Sequence, residues 1–159
     1  MIITPEIIFK AKQEKWYRSS LSYLLHSGQK IIEAKYSANK NQLFVANVAR
    51  QFGKSYWAVA KCIELALQKP KARIKYGTAF HTDLTEFILP TFDTVLNDCP
   101  NSIKPKYKVQ GSKWIFPNGS EIKLVGLDKS PNSLRGTVID LIVIDEAGFV
   151  DQLQYIYSS

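Results

Sequence analysis

Apolar and polar positions along the chain fall into short blocks whose spacing alternates between helical and extended. Thr4-Pro5 opens the first helical block, with Thr4 placed to cap it and Pro5 suited to a first turn that needs no N–H. A second helical stretch is expected around residues 20–36, ended by the polar cluster Ser37 to Asn41. Gln42 to Val48 (QLFVANV) is a short apolar run and predicts a buried strand. Ala58, Cys62, Leu65 and Ala66 recur at helical spacing within residues 54–68, and Pro70 stops that helix. Residues 73–77 (RIKYG) predict a second strand. Residues 82–97 predict a helix with a kink or break at Pro90.

Further on, residues 114–116 and 121–127 flank Pro117-Asn118-Gly119 and predict a hairpin, because Asn-Gly tolerates the positive φ of a tight turn. Residues 139–144 (IDLIVI) are nearly continuously apolar, the pattern of a strand buried on both faces. A last short helix is expected near Val150. Strands alternating with helices predict an α/β sheet covered on both sides, and the hairpin makes it mixed.

The length of 159 residues fits one domain, and 45% apolar residues suffice for a core. A net charge of +7 favours a polyanionic partner such as nucleic acid without requiring one. The basic residues are scattered, so any DNA face must be assembled by folding. Cys62 and Cys99 lack metal-ligand spacing and read as reduced thiols. No apolar run is long enough to span a bilayer, and the first residues lead into Lys10, Lys12 and Glu14 without a signal pattern, which predicts a cytoplasmic protein with no membrane association.

Two motifs carry chemistry. Val48-Ala49-Arg50-Gln51-Phe52-Gly53-Lys54-Ser55 lies between a predicted strand and a predicted helix, the context of a phosphate-binding loop. Backbone N–H groups at the helix start and the helix dipole favour phosphate there. Gln51, Phe52, Gly53, Lys54 and Ser55 are the candidate nucleotide-binding residues, with Lys54 reaching the β- and γ-phosphates and Ser55 offering its hydroxyl to Mg²⁺. The match is partial, since Val48 occupies the position of the usual first glycine. The plain alternative is a glycine turn with an exposed lysine.

In the second motif, Leu141-Ile142-Val143-Ile144 runs into Asp145-Glu146. Asp145 is the candidate Mg²⁺ holder and Glu146 the candidate activator of the attacking water; a strand simply ending in charge at the surface is the alternative. Both motifs follow predicted strands, where open α/β sheets bind ligands, so together they predict ATP or GTP binding with Mg²⁺.

With these residues the chain resembles the phage terminase large-subunit family, over roughly residues 25–150. Loops of that family often lack the first glycine and carry an early basic residue, as in Ala49-Arg50-Gln51-Phe52-Gly53-Lys54-Ser55. The resemblance makes Arg50 a catalytic candidate that touches the γ-phosphate beside Glu146; a surface arginine paired with an acid is the alternative. Leu25-His26-Ser27-Gly28-Gln29-Lys30 is similar to the family's adenine-recognition segment, with Gln29 favouring ATP over GTP. Tyr76-Gly77-Thr78-Ala79 falls where the family has a strand and loop associated with DNA translocation. Ser133-Leu134-Arg135-Gly136 also looks family-typical, with Arg135 either on phosphate or in a turn.

The resemblance implies a P-loop NTPase of the additional-strand type, a three-layer αβα unit with a mixed, mostly parallel sheet. Residues 1–41 would form a helical segment with the adenine region, and residues 42–159 an ATPase core truncated after the Asp-Glu strand. In that class the next strand inserts between the Asp-Glu strand and the loop strand, so the sheet is expected to be incomplete, with marginal folding and poor ATP turnover. No nuclease acid cluster is visible. The implied partners are double-stranded DNA, a small terminase subunit, a portal protein and copies of the chain in a ring. A helicase-like translocase, an inert ATP-binding module and a small-molecule kinase are the competing readings.

Overall fold

The computed structural model describes residues 2–49, 51–135 and 138–146. The first helix, α1 (Pro5–Tyr17), begins as its sequence predicts: the Thr4 hydroxyl accepts from the Ile7 N–H at 3.4 Å and Pro5 sits in the first turn. The expected second helix divides in two. A single 3₁₀ turn (Ser22–Leu24) precedes an extended Leu25, and α2 (Ser27–Ala38) starts afresh. His26 and Gln29 form a capping box there, which offers the chain a new helix start in the middle of the helical pattern.

The expected strand at 42–48 is not formed, and this corrects the prediction. Residues 43–49 lie in no ladder among the described residues. Their burial alternates all the same. Phe44, Ala46 and Val48 pack against the core, whereas Leu43 and Val45 are 55% and 76% exposed. A strand needs a hydrogen-bonding neighbour, which an apolar run does not encode. Helix α3 (Lys54–Gln68) follows with the predicted bounds and buries Trp57, Val59, Cys62, Ile63 and Ala66.

The sheet has five strands in the order β2-β3-β4-β1-β5. These are β1 (Arg73–Thr78), β2 (Lys106–Lys108), β3 (Lys113–Ile115), β4 (Glu121–Gly126) and β5 (Leu141–Asp145). β1 pairs in parallel with β4 and β5, whereas β3 pairs antiparallel with β2 and β4, so the sheet is mixed, with β3 alone running against the other four strands. The protein is thus α/β. The β3–β4 hairpin turns at Gly119, whose φ is +87°. β5 was expected to be buried on both faces; instead it is an edge strand among the described residues, half-buried, with Ile142 38% exposed.

Between β1 and β2 runs one helical stretch: α4 (His81–Asp83), a π-helical segment (Leu84–Ile88), α5 (Leu89–Val95) and a 3₁₀ turn (Leu96–Asp98). The predicted break at Pro90 takes the form of that π segment, which accommodates the missing N–H without ending the helix. The hydroxyls of Thr91 and Thr94 donate to the carbonyls of Phe87 and Pro90.

α3 and α5 lie on the face of the sheet that carries Ile74, Tyr76, Ile122 and Trp114. Phe92 of α5 stacks on Trp114 and meets Tyr76 edge-on, and Ser55 of α3 meets Asp145. On the opposite face the described residues supply no long helix. Its cover is a 3₁₀ turn (Pro131–Leu134), whose Leu134 closes a small cluster with Val125, Leu127 and Ile144. The three-layer arrangement is therefore not seen among the described residues. The expected helix near Val150 lies outside them.

Both cysteines are free and buried, and burial pushes both thiols up, that of Cys99 to about 12. No helix among the described residues is long and apolar enough to cross a membrane.

Candidate functional site

The loop ahead of α3 is shaped by two left-handed residues, Gln51 (φ 62°) and Gly53 (φ 81°). Glycine suits position 53 for a second reason: a Cβ there would press on Gln29 Nε2 and force that buried side chain to shift. Gly53 also caps α3 without a side chain, and no acidic residue stands in the first turn. The first N–H groups of this helix are thus left free of side-chain caps at its positive end.

Two side chains from the start of α3 meet two carboxylates at the end of β5. Ser55 Oγ donates to Asp145 Oδ2 at 2.5 Å, and Lys54 Nζ lies 3.6 Å from Glu146 Oε1. The sheet register brings Thr78 beside Asp145, and α3 crosses above that end of the strands. Glu146 itself has a left-handed φ of 54°, a conformation that costs a non-glycine residue free energy and recurs at functional sites.

A residue outside the two chemical motifs completes the cluster. Tyr76, wholly buried on β1, donates its hydroxyl to Asp145 Oδ2 at 2.8 Å. Burial first, and then the Asp145 charge, raise its pKa well above the ordinary tyrosine value, so the hydroxyl stays a donor. Both donors converge on Oδ2. Among the described residues no group of three or more acidic, histidine or cysteine side chains could form a metal cage. One carboxylate and one hydroxyl suit Mg²⁺, a hard cation that keeps much of its water, so the donor set fits.

Gln29 is 3% exposed, and its amide is engaged at both ends. Its Nε2 donates to the Gly53 carbonyl at 2.9 Å, and its Oε1 accepts from the His26 N–H at 2.9 Å. His26 is a second residue missed from sequence. Its Nδ1 accepts from the N–H groups of Gly28 and Gln29, which places the proton on Nε2, 3.1 Å from the Phe52 carbonyl. The start of α2 thereby grips the loop at two consecutive carbonyls. The spacing of His26 and Gln29 as a capping box was the available signal.

Arg50 lies outside the described residues. Arg135 is exposed, and its carbonyl, with that of Ser133, accepts from Lys75 Nζ.

The family model for the N-terminal part of the terminase large subunit, T4-like-virus type, matches residues 45–158. The chain belongs to that family. The match begins just ahead of the loop and runs past the Asp145-Glu146 pair, so both halves of the site fall within the part shared with other terminases. His26 and Gln29 lie upstream of it. A comparison with curated proteins returned no match.

Proposed function

We propose that this terminase-family chain binds ATP with Mg²⁺ between the start of α3 and the end of β5, and hydrolyses it to drive packaging of viral DNA. One observation carries the reading: Lys54-Ser55 and Asp145-Glu146, far apart in sequence, meet side chain to side chain. In this reading the free N–H groups from Gln51 to Ser55 cradle the phosphates, and Lys54 leaves Glu146 to reach the β- and γ-phosphates. Bound Mg²⁺ would draw charge from the phosphate oxygens. Ser55 and Asp145 hold its place, and Tyr76 fixes the carboxylate from behind. Glu146, released from Lys54, orients the attacking water; Arg50 is assigned to the γ-phosphate.

The additional-strand topology belongs to this proposal. The outer edge of β5 and residues 43–49 both lack a ladder partner among the described residues, which fits a sheet that takes another strand there. Gln29 is assigned to adenine, which requires its amide to leave the Gly53 carbonyl or the His26 N–H. DNA, a small subunit, a portal and a ring of copies in the host cytoplasm are the partners and setting of this reading.

Nucleotide binding and turnover of Lys54→Ala and Glu146→Gln test it. The expected result is loss of binding in the first and binding without turnover in the second. Unchanged turnover in Glu146→Gln would remove the hydrolytic role. The direct Lys54–Glu146 contact also favours a second reading, a module that binds ATP and does not turn it over, for which no variant would alter a turnover already absent.

A further inference from the structure

The face of the sheet opposite α3 and α5 carries a row of lysines that the nucleotide site does not use. The strand register sets Lys108 opposite Lys113, Lys113 opposite Lys123 and Lys123 opposite Lys75, so four lysines cross four adjacent strands on one face. With neighbouring strands about 4.8 Å apart, the row spans roughly 14 Å. Like charges placed directly opposite one another disfavour the sheet, so the row is a cost to the fold. Glu121 partly offsets it, lying 3.3 Å from Lys113 and 3.7 Å from Arg73. Lys75 is occupied by the Ser133 and Arg135 carbonyls. Lys108 and Lys123 are exposed, with no carboxylate in ion-pair range among the described residues.

We propose that this face binds the sugar-phosphate backbone of duplex DNA through Lys108, Lys113 and Lys123. The proposal deepens the packaging reading by giving its DNA a surface, and rests on that reading for the duplex being the natural ligand.

Three observations select the occupant. Lysine is depleted at the centres of protein–protein interfaces, so a row of them at the middle of a face suits a polyanion better than a folded partner. Single strands are held by stacking on aromatic rings, and here the aromatics of these strands, Tyr107 and Trp114, lie on the other face, where Trp114 stacks on Phe92. Lysines are point charges without the planar fork that reads guanine, so the contact is to phosphate and independent of sequence. A motor that moves along DNA requires contacts of that kind.

The test is binding of a short labelled duplex across a series of salt concentrations. The triple change Lys108→Gln, Lys113→Gln and Lys123→Gln is compared with a control of equal charge, Lys10→Gln, Lys12→Gln and Lys30→Gln, on exposed positions of α1 and α2. Lys123→Gln alone, at an exposed position, serves if the triple variant melts early. The face variant is expected to bind about tenfold more weakly or worse, with the salt slope reduced by roughly 2–3, whatever the duplex sequence. The control is expected to bind as the unmodified chain. Equal losses in both, or none in either, would overturn the assignment. So would polyglutamate binding more tightly than the duplex and failing only on the face variant, which would give the face to an acidic protein. Nucleotide binding by the face variant is read separately. If Lys54→Ala leaves nucleotide binding intact, the ATPase reading falls while the DNA result stands on its own.

Discussion

Ser55 and Asp145 are 90 residues apart and share a hydrogen bond of 2.5 Å, the short link by which the helix after the loop is tied to the edge strand of the sheet. The bond is polar, part-buried and backed by Tyr76 on the strand between them. Its energy is modest by itself. Its value is positional, because it holds together the hydroxyl and the carboxylate to which the proposed function assigns Mg²⁺.

Tyr76→Phe removes one of the two donors on Asp145 Oδ2 with little change in volume. A stability loss of about 1 kcal/mol is expected from the lost buried hydrogen bond. The functional change should be specific: more Mg²⁺ needed for half-maximal nucleotide binding, with metal-free nucleotide affinity unaltered. Equal losses with and without Mg²⁺ would make Tyr76 a structural residue only. Isothermal titration at several Mg²⁺ concentrations distinguishes the two.

How far the site was legible in sequence follows from what each part depends on. Gly53-Lys54-Ser55 and Asp145-Glu146 are local motifs, α3 follows from helical spacing, and β1 (RIKYGT) starts with alternating charged and apolar positions. Tyr76 was not legible as a site residue, because its partner is fixed by the parallel register of β1 and β5, which no local pattern states. The strand expected at 42–48 failed for the same reason: burial on one side was encoded, a ladder neighbour was not. β2 escaped notice because Lys106–Lys108 is short and mostly charged, with only Tyr107 turned inward. The lysine row exists only once that strand is in place.

Gly53→Ala meets two separate obstacles, and they can be told apart. The left-handed φ costs a residue with a Cβ about 1–2 kcal/mol, and the new Cβ would collide with Gln29 Nε2. Gln29→Ala on the same background removes the collision but not the backbone cost. Each single change is expected to weaken nucleotide binding, and the double change to lose less than the sum of the two. Additive losses would mean that the Gln29 amide does not press on the loop.

Lys61 joins α2 to α3 from a largely enclosed position, 2.6 Å from both Glu33 and Glu64. Glu33 also accepts from Trp57 Nε1, and Glu64 from the Leu21 N–H. Burial pulls the lysine pKa down, yet the hydrogen bonds to the two carboxylates prevail and it stands above 10.5. Lys61→Met leaves two carboxylates facing each other without their cation. A loss of about 3 kcal/mol is expected, read as a lower urea midpoint with an unchanged slope. A midpoint within error of the unmodified chain would show the network to be neutral.

Asp140 sets the acid limit of the sheet edge. At the entry to β5 its carboxylate takes a hydrogen bond from Lys69 and another from the Arg73 N–H at 2.8 Å, while its own N–H donates to the Arg73 carbonyl. The Lys69 contact first, and the Arg73 N–H second, hold its pKa below the ordinary 3.8. A carboxyl depressed in the folded state binds its proton more readily when unfolded. Its contribution is therefore complete above pH 3.8 and drains away as the pH falls through the folded value. Asp140→Asn keeps an acceptor for the Arg73 N–H and removes the titration. The variant is expected to be less stable than the parent at neutral pH, and the two curves of stability against pH should converge below pH 3.8. Because β5 pairs only with β1 among the described residues, loosening this corner should also shift Asp145. Mg²⁺-dependent nucleotide affinity should weaken along with stability at neutral pH, and a constant gap between the two stability curves down to the lowest pH would deny Asp140 the role.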